Sequence, residues 1–406
     1  MRILHLYDEK HYPESEVPLN RGIYDIVFNL SRCLVKDGHE VAVIIRRNDA
    51  GVDIIDGIKV IKFKSGNIMK NTYIELKRPL GPLRITVDCF LEWCRVRKFL
   101  KKNDFDVIHV HFPLTACMLI HSDRCLRDKI VYTAHVGSEA ERFNLNGKVP
   151  FPLKLFSPDL YLMKKVKKCV VLNEYIRQRL IREKNIEESK IKVIPNGVNS
   201  KKFDNVRVDR KFKEKYDLNG TVNVLFVGTI SPRKGVEYLV KAAKILSEEG
   251  YKAKFIFAGN TSLDVEYAKN IQKYIRLHDL PVRLTGFVPY EDLMKLYVAC
   301  DIFVLPSFGE GDPVALKDAL VAGKPLIGTN IGGIAMQIRD GWNGFLVEPR
   351  NEKQLAEKIR YLIDNPEERE RMGENSRKLA REEFDWRKIA GRYLEIYEEV
   401  RNNGKG

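Results

Sequence analysis

Short runs of Val, Ile, Leu and Phe alternate with helically spaced stretches along the chain. The first series reads ILHLY, EVAVII, IKVIKF, VIHVHF, KIVYTAH, CVVLN and IKVIP; the second reads VNVLFVG, KFIFAG, VRLTG, DIFVLPS, PLIGT and GFLV. Runs this short and apolar suit strands buried on both faces, and the helical stretches between them predict an α/β chain of parallel sheets covered by helices. Between the series lies PNGVNSKKFDNVRVDRKFKEKYDLNGT, residues 195–221, whose Pro, Gly, Asn and dense charge suit a connection from one sheet to another. This predicts an N-terminal domain over 1–196 and a C-terminal one over 197–384. The stretch 385–406 reads as a helix with Ile389, Tyr393, Ile396, Tyr397 and Val400 on one stripe, expected to pack back on the first domain, with 402–406 frayed. Two doubly wound domains would bind ligands at their strand C-terminal ends, in a cleft between them.

At 406 residues, 44% hydrophobic and 31% charged, the chain fits a two-domain globular protein, and no apolar run reaches the roughly 18 residues of a membrane span. MRILHLYDEKHYPE reads as a first strand rather than a signal peptide, so a cytoplasmic location is expected. Seven cysteines without a CxxC pair argue against a disulfide framework or zinc site and are expected to be core thiols. A net charge of +15 calls for an anionic partner: a nucleotide, a phospholipid surface or a nucleic acid. The abundance of Lys, Glu and Ile would also suit a thermophile.

The richest segment for chemistry is DIFVLPSFGEGDPVALKDALVAGKP, residues 301–325. Ile302 to Leu305 suits a buried strand, Asp312 a helix cap and Pro313 the first helical position, with Gly323 and Pro325 stopping the helix. The free N–H groups at such a helix start favour an anion, while Glu310 stands before it and Asp318 lies in its second turn. A diphosphate and a sugar could both be held here. A plain strand–turn–helix unit with surface acids would read the same way from this segment alone.

VGTISPRKGVEYLVKAA, GFVPYEDLMKLYVACDIFVLPS, EGDPVALKDAL and GGIAMQIRDGWNGFLVEP together resemble the C-terminal half of glycosyltransferase family 4. NRGIYDIVFNLSRCL, DGHEVAVI, FDVIHVHFP, YTAHVG and VIPNGVNSKKF resemble its N-terminal half. The resemblance implies a GT-B architecture of two Rossmann-like domains and metal-independent, retaining transfer from a nucleotide sugar to a glycan or lipid-linked acceptor, with no cofactor. It gives catalytic roles to Glu310, His135 and Lys234: Glu310 against the donor sugar, His135 bordering that sugar, and Lys234 on the departing diphosphate. Donor-binding positions are Gly22, Arg233, Gly311, Asp312, Val314, Asp318, Gly332 and Gly333. The chain departs from the family pattern at several of its positions. Asp318 stands where a longer Glu usually holds the ribose diol, Arg21 and Thr229 replace a usual glycine and arginine, and Ala335–Met336 replace Pro–Glu. A non-catalytic sugar-nucleotide-binding subunit or a nucleotide-sugar epimerase on the same scaffold are the alternatives.

Other signals carry less. His109 and His111 alternate on one strand and face one way, but no third ligand at suitable spacing accompanies them, so a core or cleft-edge role is expected and no metal site. Asp104-Phe105-Asp106 imitates a metal-binding D-x-D but precedes its strand, at the edge away from the ligand. The chain lacks a P-loop, a GxGxxG after the first strand and a Gly-x-Ser-x-Gly elbow. RPLGPLRITVDCFLEWCRVRKFLKK, residues 78–102, mixes aromatic and basic positions that could rest on anionic lipid, as could the lysines of LYLMKKVKKCVVLN; solvated helices are the plainer reading of both. If the lipid reading holds, the enzyme would be peripheral on the inner face of the membrane. Nucleic-acid binding is not expected, since no binding module accompanies the charge.

Overall fold

The computed structural model describes residues 1–10, 21–47, 49–64, 81–135, 157–218 and 220–403. They form two compact units, Met1–Gly197 with Trp386–Gly406, and Val198–Asp385. The strands of the first unit are β1 (Arg2–Lys10), β2 (Glu40–Arg47), β3 (Gly51–Ile55), β4 (Ile58–Lys64), β5 (Val107–Val110), β6 (Ile130–Ala134), β7 (Lys168–Val171) and β8 (Ile191–Val193). They make one sheet in the order β3-β4-β2-β1-β5-β6-β7-β8. The order reverses at β1 and β5, the place where a doubly wound sheet opens its ligand crevice.

Every pairing in this sheet is parallel except β3 with β4. That hairpin was not expected from the hydrophobic pattern. Its turn is Asp56-Gly57, both at positive φ, the conformation a two-residue hairpin loop demands. β3 is exposed along its whole length, so it lacks the buried run that marks its neighbours.

Side chains alternate across the sheet and separate two cores. Leu4, Leu6, Ile108, Val110 and Tyr132 pack on one face. Ile3, Tyr7, Val107, Val131 and Val170 pack on the other, under the helices Arg21–Lys36 and Trp386–Asn403. The second of these helices buries Trp386, Ile389, Tyr393, Ile396, Tyr397 and Val400 there, side chains worth about 1.5–3 kcal/mol each when fully covered.

The second unit holds β9 (Val222–Val227), β10 (Ala253–Ala258), β11 (Val282–Gly286), β12 (Ile302–Leu305), β13 (Leu326–Thr329) and β14 (Gly344–Val347). All are parallel, in the order β11-β10-β9-β12-β13-β14, reversing between β9 and β12. Much of the connecting stretch 195–221 is built into this unit. It contains a helix, Arg210–Tyr216, whose cap Asp209 accepts from the Phe212 N–H at 2.7 Å, and it buries Phe203, Phe212, Tyr216 and Leu218 in the core.

Among the described residues no helix is long and apolar enough to cross a membrane. No disulfide joins the seven cysteines, but Cys94 and Cys125 are exposed, which corrects the expectation of core thiols throughout. Cys94 lies on the outward face of the helix Gly81–Leu100 and Cys125 in the surface turn Arg124–Asp128.

Candidate active site

The C-terminal ends of β9, β12 and β13 bring most of the expected donor-binding residues together. After β9 a short turn, Pro232–Lys234, delivers Lys234, and Gly235 follows at φ 64°. A Cβ at Gly235 would stand 2.0 Å from the Pro306 carbonyl oxygen, so only glycine lets the chain pass so close to the end of β12. The Phe308 N–H donates to the Arg233 carbonyl at 2.8 Å, tying the two loops together.

Lys234 Nζ lies 2.5 Å from Glu310 Oε1, and Arg233 reaches the same oxygen at 3.6 Å while donating to the Gly309 carbonyl. The Glu310 side chain is only 9% exposed. Burial by itself pushes the Glu310 carboxyl up, but Lys234 and then Arg233 outweigh it and hold it below the usual glutamate range. The result is an ionised acid with a cation at contact distance, both at a strand's carboxyl end.

The glycines expected beside the nucleotide do structural work here. The Gly333 N–H donates to the Glu310 carbonyl at 3.0 Å, and a Cβ on Gly333 would stand 2.1 Å from the Gly311 carbonyl oxygen. The 309–312 loop is therefore clasped by the turn after β13. Gly311, Asp312 and Val314 follow, with Val314 exposed at the first turn of the helix Val314–Ala322.

Asp312 does not cap that helix. Pro313 is the flanking residue, and no side-chain capping bond forms. The Asp312 carboxylate instead accepts from Lys317 at 2.7 Å and from Gln337 at 2.6 Å. Lys317 is 1% exposed and lies 4.6 Å from the centre of the Phe384 ring. A buried ammonium requires a carboxylate more than a helix end does, and that requirement decides where Asp312 points.

Asp318 also has an ionic partner that the sequence reading did not anticipate. Lys202 Nζ lies 2.6 Å from Asp318 Oδ1 and sits over the Tyr290 ring at 5.5 Å. Burial pushes the Asp318 carboxyl up; the Lys202 ammonium, itself kept charged by that carboxylate, works against this. If Asp318 meets the ribose diol, it does so as half of this pair. Replacing Lys202 with Met is expected to lower the melting temperature and weaken nucleoside-diphosphate binding by up to about tenfold, since it strands a poorly solvated carboxylate. Calorimetric titration checks this, and an unchanged affinity would place the ribose away from Asp318.

His135 and Gly22 belong to the first unit. Gly22 lies in the first turn of the helix Arg21–Lys36, not in a loop before it. His135 follows the end of β6, and its Nε2 lies 2.9 Å from His111 Nδ1. His111 Nε2 lies 3.0 Å from His5 Nδ1, so the third histidine missing from the sequence pattern is supplied by β1.

His5, His109 and His111 bring ring nitrogens within 4.8 Å of one another, a spacing a metal ion could use. His109, however, has Thr133 Oγ1 at 2.7 Å and the Tyr397 hydroxyl at 2.6 Å, and His111 has an imidazole on each side. Each of these two rings has both nitrogens engaged in hydrogen bonds. Asp104 pairs with Lys129 at 2.8 Å and Asp106 accepts from the Arg2 N–H at 2.7 Å, both before β5 and at the edge away from His135.

Residues 21–202 match the family described as Glycosyltransferase Family 4, and residues 208–379 match Glycosyl transferases group 1. A glycosyltransferase of Methanocaldococcus jannaschii is 27% identical over 389 residues, covering 91% of this chain and 92% of that protein. The solved structure of a glycosyltransferase from Rickettsia africae covers 98% of both chains with a TM-score of 0.74 at 22% identity. That of Anabaena HepE in complex with UDP and glucose covers 98% of this chain and all of the other, with a TM-score of 0.71 at 17% identity.

Proposed function

The chain belongs to the family 4, group 1 glycosyltransferases and has their GT-B fold, and from that premise we propose that it transfers a sugar from a nucleotide sugar to a glycan or lipid-linked acceptor, with retention and without a metal ion. One observation carries this reading: the Lys234–Glu310 pair at the mouth of the second sheet, beside the free end of the 314–322 helix. Departure of the diphosphate leaves oxocarbenium character on the sugar and negative charge on the phosphate oxygens. Lys234, Arg233 and the helix N–H groups supply the positive side that a divalent ion supplies in metal-dependent transfer. Glu310 lies against the sugar. The acceptor hydroxyl attacks the anomeric carbon from the face the diphosphate leaves, and its proton passes to the departing phosphate oxygen.

The neighbour that holds UDP and glucose favours a uridine donor as the first to try. The acceptor reading draws on the helix Gly81–Leu100. Among the described residues it exposes Val87, Phe90 and Leu91, one helical stripe, near the exposed Arg84 and Lys98. Such a face suits an anionic membrane carrying a lipid-linked acceptor.

The test is a turnover screen of the purified protein with UDP-, GDP- and ADP-sugars, with and without EDTA and vesicles of anionic lipid. One donor should be cleaved slowly in EDTA, and vesicles carrying a polyprenyl-phosphate acceptor should raise the rate. Release of an altered free nucleotide sugar without acceptor would replace this reading with epimerisation. Loss of turnover in EDTA, restored by a divalent ion, would end the metal-independent part.

A further inference from the structure

The second unit holds a basic cavity that the donor chemistry does not use. It measures about 370 Å³ and is bounded by the segment 200–207, the end of the helix Val314–Ala322 and the last turns of the helix Pro366–Glu383. Every residue lining it falls between Ser200 and Arg381, so the cavity belongs to this unit alone. Lys324, in its wall, stands just before β13, whereas the donor residues gather at the opposite, carboxyl end of that strand. Along the helix, roughly 13 Å separates Val314 on the donor side from Ala322 in the cavity wall.

Four cations line this space, Arg207, Lys324, Arg377 and Arg381, against one carboxylate, Asp204. Among the described residues none of the four forms an ion pair. Elsewhere in the unit Lys202, Lys215, Lys254, Arg339 and Arg360 all pair with carboxylates.

Two of the four also have a structural task. Lys324 donates to the Val298 and Cys300 carbonyls at 2.9 and 2.7 Å, and Arg377 to the Ala322 carbonyl at 3.2 Å, so they close the ends of two helices. That task explains where these two sit but leaves most of the Arg377 fork unused. Arg207 engages only Nη1, on the Asp204 and Val206 carbonyls, and the Arg381 side chain bonds to no described residue. All three arginines are exposed, so their remaining donors are open to a ligand.

The lining describes that ligand. Guanidinium forks match the oxygens of a phosphate two at a time, and three of them with an ammonium and a single acid call for a doubly charged group. A bare phosphate would leave much of the space unfilled, and cavities of this size hold small organic molecules. The rest of the wall suits an organic part: Phe203, Val206, Val298, Val321 and Ala380 are apolar, while Ser200 and Asp204 offer acceptors to hydroxyl groups.

We propose that this cavity is a second anion site, which binds an organic phosphate monoester apart from the donor. Its hydrogen-bonding groups favour a free sugar phosphate or polyol phosphate. The site stands whether or not the chain transfers a sugar.

Calorimetric titration of the full chain with glucose 6-phosphate, glycerol 3-phosphate, inorganic phosphate and glucose tests this. The proteins are the wild type, Arg207→Glu, Arg381→Glu and, as a control for the donor site, Lys234→Ala. Flotation with vesicles containing phosphatidic acid, whose headgroup is the same monoester, gives a lipid source its own arm.

The wild type should bind at least one of the two esters more tightly than inorganic phosphate, leave glucose unbound, and release the ester as salt is raised. Each charge reversal should weaken the ester by about tenfold or more, and Lys234→Ala should stay within about twofold of the wild type. Vesicles held through Arg207 and Arg381, with neither free ester bound, would keep the monoester and identify its source as a lipid headgroup. No binding of any phosphate up to about 10 mM, or an affinity indifferent to both reversals, would overturn the proposal. So would binding that is lost in Lys234→Ala, which would place the ester in the donor site, or inorganic phosphate bound as tightly as either ester. Both reversed residues are exposed, and the melting temperature of each variant separates these results from a loss of fold.

Discussion

Lys234→Ala should lower turnover about 10²–10³-fold, with the loss in kcat and the donor KM changed little. The reason lies in when the ammonium does its work. A bound nucleotide sugar already has a charged diphosphate, but the bridging oxygen gains most of its charge as the sugar leaves, so the contact strengthens toward the transition state. Lys234 is held by the turn at Gly235, with its Nζ 2.5 Å from Glu310 Oε1. Arg233→Ala should cost much less, because that guanidinium is 38% exposed and is tethered to the Gly309 carbonyl. Lys234→Arg should not restore full activity, since a planar fork cannot replace a compact charge in so confined a place. Initial rates at saturating donor, with circular dichroism as a control for folding, decide the matter. A Lys234→Ala protein with wild-type kcat and a raised KM would show that the lysine merely binds the ground state.

The two sheets and their helices were legible in the sequence because nearly every strand is buried on both faces and so reads as a continuous apolar run. β3 was missed for the converse reason: its Val52, Ile54 and Ile55 are exposed, and a hairpin needs only the Asp56-Gly57 turn to form. The residues to which the resemblance gives donor contacts lie close together in family motifs, from Glu310 to Asp318. Their partners do not. Lys202 is 116 residues from Asp318, and Gln337 lies 25 residues beyond Asp312, so local pattern carries no trace of either pairing. One signal was available for Lys317, a lysine set inside the apolar helix VALKDALVA, where an ammonium has to find a carboxylate. Similarly, His5 sits in ILHLY between Ile3 and Tyr7 and on their side of the strand, so alternation already assigns it to the core. Only the parallel pairing of β1 with β5 shows that it meets His109 and His111 there.

Those three buried imidazoles should make the first unit sensitive to mild acid. Their folded pKa values are lowered, His5 to about 3 and the other two well below the ordinary value, with burial as the largest cause. The unfolded chain takes up protons below about pH 6.5 that the folded chain refuses, so stability is full above that pH and falls as the pH drops through it. His5 alone should cost about 1.4 kcal/mol per pH unit, or about 2 kcal/mol between pH 6.5 and 5.0, and His109 and His111 add in the same direction. Carboxylates cannot account for a loss in that window. Glu310, whose pKa is lowered, stabilises above the unfolded glutamate value of about 4.3 and gives way only below it. Urea unfolding at pH 7.5, 6.5, 5.5 and 5.0, followed by the fluorescence of Trp93 and Trp386 in a Trp342→Phe background, reads the first unit alone. Its midpoint should fall slightly from pH 7.5 to 6.5 and steeply at the two lower values. His5→Phe should flatten the fall by about one proton's worth. A wild-type midpoint that stays level down to pH 5.0 would mean that these rings accept protons in the folded state, and the neutral line of imidazoles beneath His135 would be lost with it.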